Sequence, residues 1–89
     1  MDDLAARGDA LLKAGSSGAL STHSVEKPGF PFASLALYAL DERARPLFLL
    51  SGLAVHARNL AADPRASLMV AEGDTQASAR VTVVGRAEK

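Results

Sequence analysis

Three polar residues near the middle of the chain carry the groups needed to hold an anion. Ser51 follows an apolar segment, and His56 and Arg58 come shortly afterwards on a stretch with helical spacing. A hydroxyl, the backbone N–H groups that open a helix and a cationic side chain together bind a phosphate dianion. Arginine can contact two phosphate oxygens at once, whereas histidine, with an ordinary pKa of about 6.5, is only partly charged at neutral pH. These residue types could together hold an anion at the bend after Ser51.

The residues alone leave other interpretations open. His56 and Arg58 on a short surface helix are ordinarily solvated, and Ser51 next to a glycine is typical of a turn. His23 and His56 could together ligate haem iron, although a single histidine is more often structural. A serine-hydrolase arrangement at residues 21–23 is disfavoured, because adjacent strand residues point to opposite faces and no acidic partner stands at a defined spacing.

The aromatic residues favour a packing role. A platform that stacks nucleic-acid bases needs an accompanying basic patch, and the sequence has none. We therefore expect core or dimer-interface positions for Phe30, Phe32, Tyr38 and Phe48.

The composition limits the chain to one small globular domain. Its 89 residues are 48% hydrophobic and 22% charged, with ten Lys and Arg against ten Asp and Glu. This balance excludes intrinsic disorder and gives no indication of nucleic-acid binding. A domain of this size buries only about 60–65% of its unfolded surface, so we expect a homodimer.

The chain has no cysteine, no long apolar run and no export signal. Disulfides and thiolate metal sites are therefore excluded, and no metal site is expected from two histidines. No apolar segment approaches the roughly 20 residues of a membrane span, and the amino terminus opens with Asp2 and Asp3. These features predict a cytoplasmic protein without a membrane partner.

The hydrophobic pattern predicts two helices and five strands. The helices are expected at residues 2–14 and 53–62, and the strands at residues 19–24, 32–40, 47–51, 66–72 and 80–89. The second and third strands are apolar at nearly every position, which is typical of strands covered on both faces, and they are expected to form a hairpin. The last strand alternates, so one of its faces should meet solvent. Gly15 is expected to close the first helix in a left-handed conformation. The order of elements predicts an α+β fold with an antiparallel sheet or incomplete barrel.

A pattern between residues 47 and 70 indicates a family. It consists of Ser51 at a strand end, His56 and Arg58 on the following helix, the pair Asn59-Leu60, and the closing pair Asp63-Pro64. This pattern resembles the pyridoxamine-phosphate-oxidase-like, FMN-binding split-barrel family, in particular its branch related to haem-utilisation proteins. Residues 18–22, 31–34 and 83–88 resemble strands of the same family more loosely.

The resemblance implies that residues 1–89 form a single split-barrel, flavin-binding-like domain. The implied fold is an incomplete antiparallel split β-barrel of about five strands, with an N-terminal helix and a short helix between strands 3 and 4. In the family, further strands follow the one at which this chain ends. We therefore expect the chain to be truncated at its C-terminus relative to those proteins.

The resemblance also implies FMN at the interface of a homodimer, with the redox chemistry carried by the flavin and no catalytic side chain. The phosphate end would be held by Ser51, His56, Arg58 and Asn59, and the ring would be bordered by Ser21, Thr22, Ala33 and Ser34. Family members often have lysine at the position of His56. The function implied is that of a flavin oxidoreductase whose small-molecule substrate is unknown, and the alternative is a non-catalytic dimeric binding protein that handles haem or is a degenerate relative.

Overall fold

The computed structural model describes residues 3–51 and 54–89. Its elements in chain order are α1 (Asp3–Ala14), β1 (Ser17–His23), β2 (Pro31–Leu37), β3 (Ala39–Leu40), β4 (Pro46–Leu47), α2 (Val55–Ala62), β5 (Arg65–Ala71) and β6 (Arg80–Arg86). The described strands form a four-stranded antiparallel sheet in the order β2-β1-β5-β6 and a two-stranded hairpin of β3 and β4. The predicted α+β class with an antiparallel, unclosed sheet is confirmed.

The central strand β1 has one covered face and one open face. Gly18, Leu20 and Thr22 are buried, whereas the residues between them are partly exposed. Leu20 lies opposite Ser34 of β2 and opposite Leu68 of β5, so these side chains share the covered face. Both described helices lie on that face, and within the described residues nothing covers the other.

The core lies between α1 and the covered face of the sheet. Leu12, Tyr38, Leu68 and Val70 form its centre, and Val81 and Val83 pack against it from β6. The Tyr38 hydroxyl donates to the Leu12 carbonyl oxygen near the end of α1. On β6 only the core-facing positions are partly buried, so the predicted alternation of its two faces is confirmed.

Two of the predicted strands are shorter and more exposed than expected. Residues 32–40 divide into β2 and β3 at Tyr38, whose side chain lies in the core. The exposed fraction of Leu35 is 81%, so the expectation of cover on both faces is wrong for the described chain. The apolar side chains of β2 would be stabilised by burial. β2 lies at the edge of the sheet, where the described residues cover little of its surface.

The predicted buried strand at residues 47–51 is also wrong. Only Pro46 and Leu47 belong to β4, and Leu49 is fully exposed. The predicted hairpin itself is confirmed, since Ala39 pairs with Leu47 across the connection at residues 41–45. The Asp41 carboxylate stabilises this connection by accepting hydrogen bonds from backbone N–H groups within it.

The helix boundaries follow the predictions closely at the described residues. α1 ends at Ala14 and α2 at Ala62, as expected, and the predicted helix residue Leu53 lies outside the described residues, as does the glycine at position 52. Gly15 does not adopt the expected left-handed conformation, since its φ angle is not positive. Close packing explains a glycine there, since a Cβ would lie 2.6 Å from the Tyr38 hydroxyl oxygen. Within residues 3–51 and 54–89, neither helix is long and apolar enough to cross a membrane.

Candidate functional site

The face of α2 that meets the sheet is polar. Its buried side chains are His56 and Asn59, which are 6% and 1% exposed and lie three residues apart on one side of the helix. They contact Thr22 of β1, which is 2% exposed. Burying polar groups costs free energy unless they are hydrogen-bonded. The position of α2 therefore depends on the hydrogen bonds that these side chains make.

Four hydrogen bonds join α2 to β1, to β2 and to the segment after β1. Thr22 Oγ1 lies 2.9 Å from His56 Nδ1 and 3.0 Å from Asn59 Nδ2. On the other side of the imidazole, Ser34 Oγ lies 2.9 Å from His56 Nε2. The backbone N–H of Val25 donates to Asn59 Oδ1 over 3.0 Å. We refer to Thr22, Ser34, His56 and Asn59 as the polar cluster.

His56 favours its neutral form at neutral pH. Burial lowers its pKa below the ordinary value of 6.5, because an imidazolium is less stable away from water. Among the described residues of β1, β2 and α2 there is no carboxylate. Besides His56 their ionisable groups are the bases His23, which lies on the other face of the sheet, and Arg58, which is exposed. The ring also contacts the edge of Phe32, with the two centroids 5.1 Å apart.

A groove of about 390 Å³ follows the outer edge of β2 and ends at the polar cluster. Of the ten described residues that line it, eight are apolar, and the other two are Ser34 and His56. Leu35, Leu37 and Leu49 line it and are largely exposed. Ligand sites are typically apolar clefts of about 300–1,000 Å³ with a few convergent polar groups. The groove has this character and carries no charge.

A second hollow, of about 230 Å³, adjoins the groove at Phe32. It is formed by the connection between β1 and β2 and includes Ser24 and Lys27. Lys27 is the one cationic residue among the described residues that line the two hollows. Lys27 could pair with an anionic group at the end of a ligand in the groove.

The structure brings four of the eight residues proposed from the sequence into one cluster. Thr22, Ser34, His56 and Asn59 are hydrogen-bonded to one another on the covered face, as described above. Ser21 and Ala33 are paired directly across β1 and β2, and their alternation places them on the opposite face. The proposed border of a flavin ring is thus divided between two faces of the sheet.

The two residues proposed for the phosphate end that lie outside the cluster are exposed. Arg58 is two residues after His56 and lies on the exposed side of α2, and Ser51 precedes the helix. The Ser51 carbonyl oxygen accepts the Ala54 backbone N–H over 2.9 Å just before α2. Because His56 is neutral and both of its ring nitrogens are engaged, Arg58 is the only cation of the proposed phosphate set.

Joint ligation of haem iron by the two histidines of one chain does not agree with the geometry. His56 packs against Thr22, whereas His23 is the next residue of β1 and faces the other side of the sheet. The two nitrogens of His56 are already hydrogen-bonded to Thr22 and Ser34.

Two features of the site were missed in the sequence. The first is the hydrogen bond from the Val25 backbone to Asn59, which no pattern of side chains could indicate. The second is the groove, whose leucines were interpreted as members of buried strands. The spacing of His56 and Asn59 on one side of α2 was a usable signal for a polar helix face.

The sequence comparisons agree with this architecture. The family model described as pyridoxamine 5'-phosphate oxidase matches residues 5–89 of the chain. Among curated proteins, the chain is similar to the chloroplastic non-canonical heme oxygenase HOZ of Arabidopsis thaliana. The two are 37% identical over 71 residues, which cover 79% of this chain and 22% of that protein.

Solved structures with the same fold include proteins from two mycobacteria. A heme binding protein from Mycobacterium smegmatis superposes with a TM-score of 0.85 at 35% identity, covering 99% of this chain and 37% of the other. A conserved hypothetical protein from Mycobacterium tuberculosis gives a TM-score of 0.80 at 26% identity, covering 99% of this chain and 52% of the other. The chain spans between about a fifth and a half of the length of these three relatives.

Proposed function

The chain belongs to the pyridoxamine 5'-phosphate oxidase family, and on that premise we propose that it is a haem-binding domain that works as a homodimer. The observation that carries this proposal is the uncharged groove along β2. Its lining is apolar apart from Ser34 and a neutral His56. A large conjugated ring gains affinity mainly by burying apolar area, and such a groove offers that area. Two relatives, at 37% and 35% identity, carry haem in their names.

The residues of the groove fit the ring of haem. Leu35, Leu37 and Leu49 would contact the ring, and Lys27 in the adjoining hollow would accompany a carboxylate at its edge. Both nitrogens of His56 are hydrogen-bonded within the polar cluster, so His56 would position the wall of the groove and would not bind the iron. When bound, haem would supply an iron centre for redox chemistry.

FMN is the second candidate, because the matching family model is named after pyridoxamine 5'-phosphate oxidase, an enzyme of a flavin-dependent type. The flavin ring is flat, as the haem ring is, and would suit the groove for the same reason. Ser51 and Arg58 would contact the phosphate. The fit is poorer at that end, because a phosphate dianion needs several donors gathered at one point and His56 contributes no charge. A flavin oxidoreductase activity and a cytoplasmic location stay predictions from the sequence.

The homodimer is proposed from the exposed apolar residues along the edge of the sheet. Leu35 and Leu37 on β2, together with Leu49, are exposed in the single chain. An edge strand with apolar side chains tends to associate with another chain unless it is covered. A second copy of the chain would bury these leucines and enclose the groove from the other side.

Titration with haemin and with FMN tests the proposal. We expect haemin to give a shifted Soret band with the wild-type protein, and FMN to keep its free absorbance and fluorescence. Leu37→Arg should weaken haemin binding at least about tenfold, because it places a charge in an apolar contact surface. Val84→Arg is the matched control: Val84 is 78% and Leu37 76% exposed, both lie on strands, and only Leu37 lines the groove.

The outcomes separate the candidates. A shifted flavin spectrum with no response to haemin would replace haem by FMN. Equal losses from the two arginine variants would mean that haemin binds outside the groove. If neither compound bound, the proposal of a cofactor site in the groove would be wrong.

A further inference from the structure

We propose that Ser34 presents its hydroxyl proton to the groove and thereby selects a ligand that carries an oxygen acceptor at that position. The inference rests on the proposed function, because it concerns the ligand of the same groove. Ser34 is the exposed end of the polar cluster, whereas Thr22, His56 and Asn59 are buried behind it. The direction of every hydrogen bond in the cluster can be deduced from one backbone group.

The backbone N–H of Val25 sets the orientation of the Asn59 amide. A backbone N–H can only donate, so the Asn59 atom that it contacts at 3.0 Å must be the carbonyl oxygen. The amide nitrogen of Asn59 therefore faces Thr22 Oγ1, 3.0 Å away. That nitrogen can only donate, so the Thr22 oxygen accepts.

The Thr22 hydroxyl then sets the tautomer of His56. Having accepted from Asn59, the hydroxyl still has its own proton, and the nearby group that can take it is His56 Nδ1 at 2.9 Å. In a neutral imidazole only one nitrogen carries hydrogen, so an accepting Nδ1 leaves the hydrogen on Nε2. The reverse tautomer would leave the proton of a buried hydroxyl without an acceptor in the cluster, which costs free energy.

The chain of donors ends at Ser34. His56 Nε2–H donates to Ser34 Oγ over 2.9 Å. Ser34 lines the groove and has one hydroxyl proton left, which faces outward from the cluster. The groove therefore offers a hydrogen-bond donor in an otherwise apolar wall. A carboxylate oxygen of haem and a ring carbonyl oxygen of a flavin share the chemistry that such a donor recognises.

The tautomer can be measured without any ligand. In a long-range 1H–15N spectrum of the wild-type protein at pH 7.5, we expect Nε2 of His56 to have the shift of a protonated nitrogen and Nδ1 that of an unprotonated one. Thr22→Val removes the donor to Nδ1 and should change this pattern, whereas a Thr22→Ser variant keeps the hydroxyl and should restore it. A wild-type ring protonated at Nδ1, or at both nitrogens, would overturn the assigned direction.

The selection of a ligand is tested by titrating haemin into serine variants. Ser34→Ala should weaken binding about 3- to 10-fold, the range expected for one hydrogen bond at a partly exposed site. Ser34→Thr keeps the hydroxyl and should bind almost as tightly as the wild type. Ser67→Ala is the control, because Ser67 of β5 lies opposite Ser21 on the face of the sheet turned away from α2. If Ser34→Ala bound haemin as tightly as the wild type does, the inference would be overturned and the proposed function would stand.

A second probe separates the inference from the proposed function. Lumiflavin carries the ring carbonyl groups of FMN and no phosphate. If haemin failed to bind the wild type, the proposed function would be wrong, and the loss of lumiflavin binding in Ser34→Ala would still support the donor role of Ser34. If neither probe bound, both proposals would be overturned.

Discussion

Replacing Thr22 with valine removes one hydroxyl and leaves the shape of the side chain almost unchanged. Thr22 is buried, and its oxygen contacts both His56 Nδ1 and Asn59 Nδ2. In the variant neither of these buried atoms has its present partner, and a methyl group occupies the space where water would have to enter. We expect Thr22→Val to destabilise the fold and not merely the site.

The size of the effect follows from the number of groups that lose a partner. An unsatisfied buried polar group costs about 1–3 kcal/mol, and two are created here, so the expected loss is about 2–6 kcal/mol. At about 0.05–0.15 kcal/mol per residue, a domain of this length has a free energy of unfolding of only about 4–13 kcal/mol. The substitution would therefore remove a large share of the stability.

Urea unfolding followed by circular dichroism measures this loss. The midpoint should fall while the dependence on urea stays the same, because the surface exposed on unfolding does not change. Thr82→Val on the exposed face of β6 is the matched control and should alter stability by less than about 0.5 kcal/mol. A loss below about 0.5 kcal/mol in Thr22→Val would refute the view that the polar cluster holds α2 on the sheet.

Three further outcomes are expected. Burial lowers the pKa of His56 in the folded chain, so the unfolded chain takes up a proton more readily. The contribution of His56 to the free energy of unfolding should therefore be constant above about pH 6.5. It should fall as the pH drops below that value, until the pKa of the folded chain is reached. Urea midpoints across this range should show the decline in the wild type and a weaker one in His56→Gln, and a stability that rises on acidification would contradict the sign. Leu35→Arg should shift the protein from dimer to monomer in analytical ultracentrifugation, because it charges the apolar edge of β2, and an unaltered dimer would place the interface elsewhere. Gly18→Ala should cost about 1–3 kcal/mol, because its Cβ would lie 2.5 Å from the Met69 carbonyl oxygen, whereas Gly85→Ala, with nothing within 4 Å, should be close to neutral in thermal unfolding.

Periodic patterns predicted the elements of this fold well wherever one face of an element is covered within the chain. β6 alternates along its length, and its core-facing valines are the more buried ones. The two helices end where the sequence pattern ends, at Ala14 and Ala62. The pattern failed at residues 47–51, where a run of apolar residues forms only a short strand and an exposed segment. Such a run indicates that its side chains are buried in the functional protein. It does not indicate whether the same chain or another chain buries them.

The sequence by itself determined the family and the α+β class. It could do so because helix spacing, strand alternation and the Asn59-Leu60 and Asp63-Pro64 pairs are local properties of the chain. It did not determine what His56 does. A histidine on a short helix is equally compatible with solvent, with a phosphate or with iron.

Only the tertiary structure decided that question, by placing Thr22 and Ser34 on either side of the imidazole. These residues are 34 and 22 positions away in the chain, and their approach depends on the register of β1 with β2. Burial then keeps the ring neutral, and a single backbone N–H at Val25 fixes the direction of the bonds through Asn59. Long-range hydrogen bonds of this kind depend on distances that no local pattern encodes.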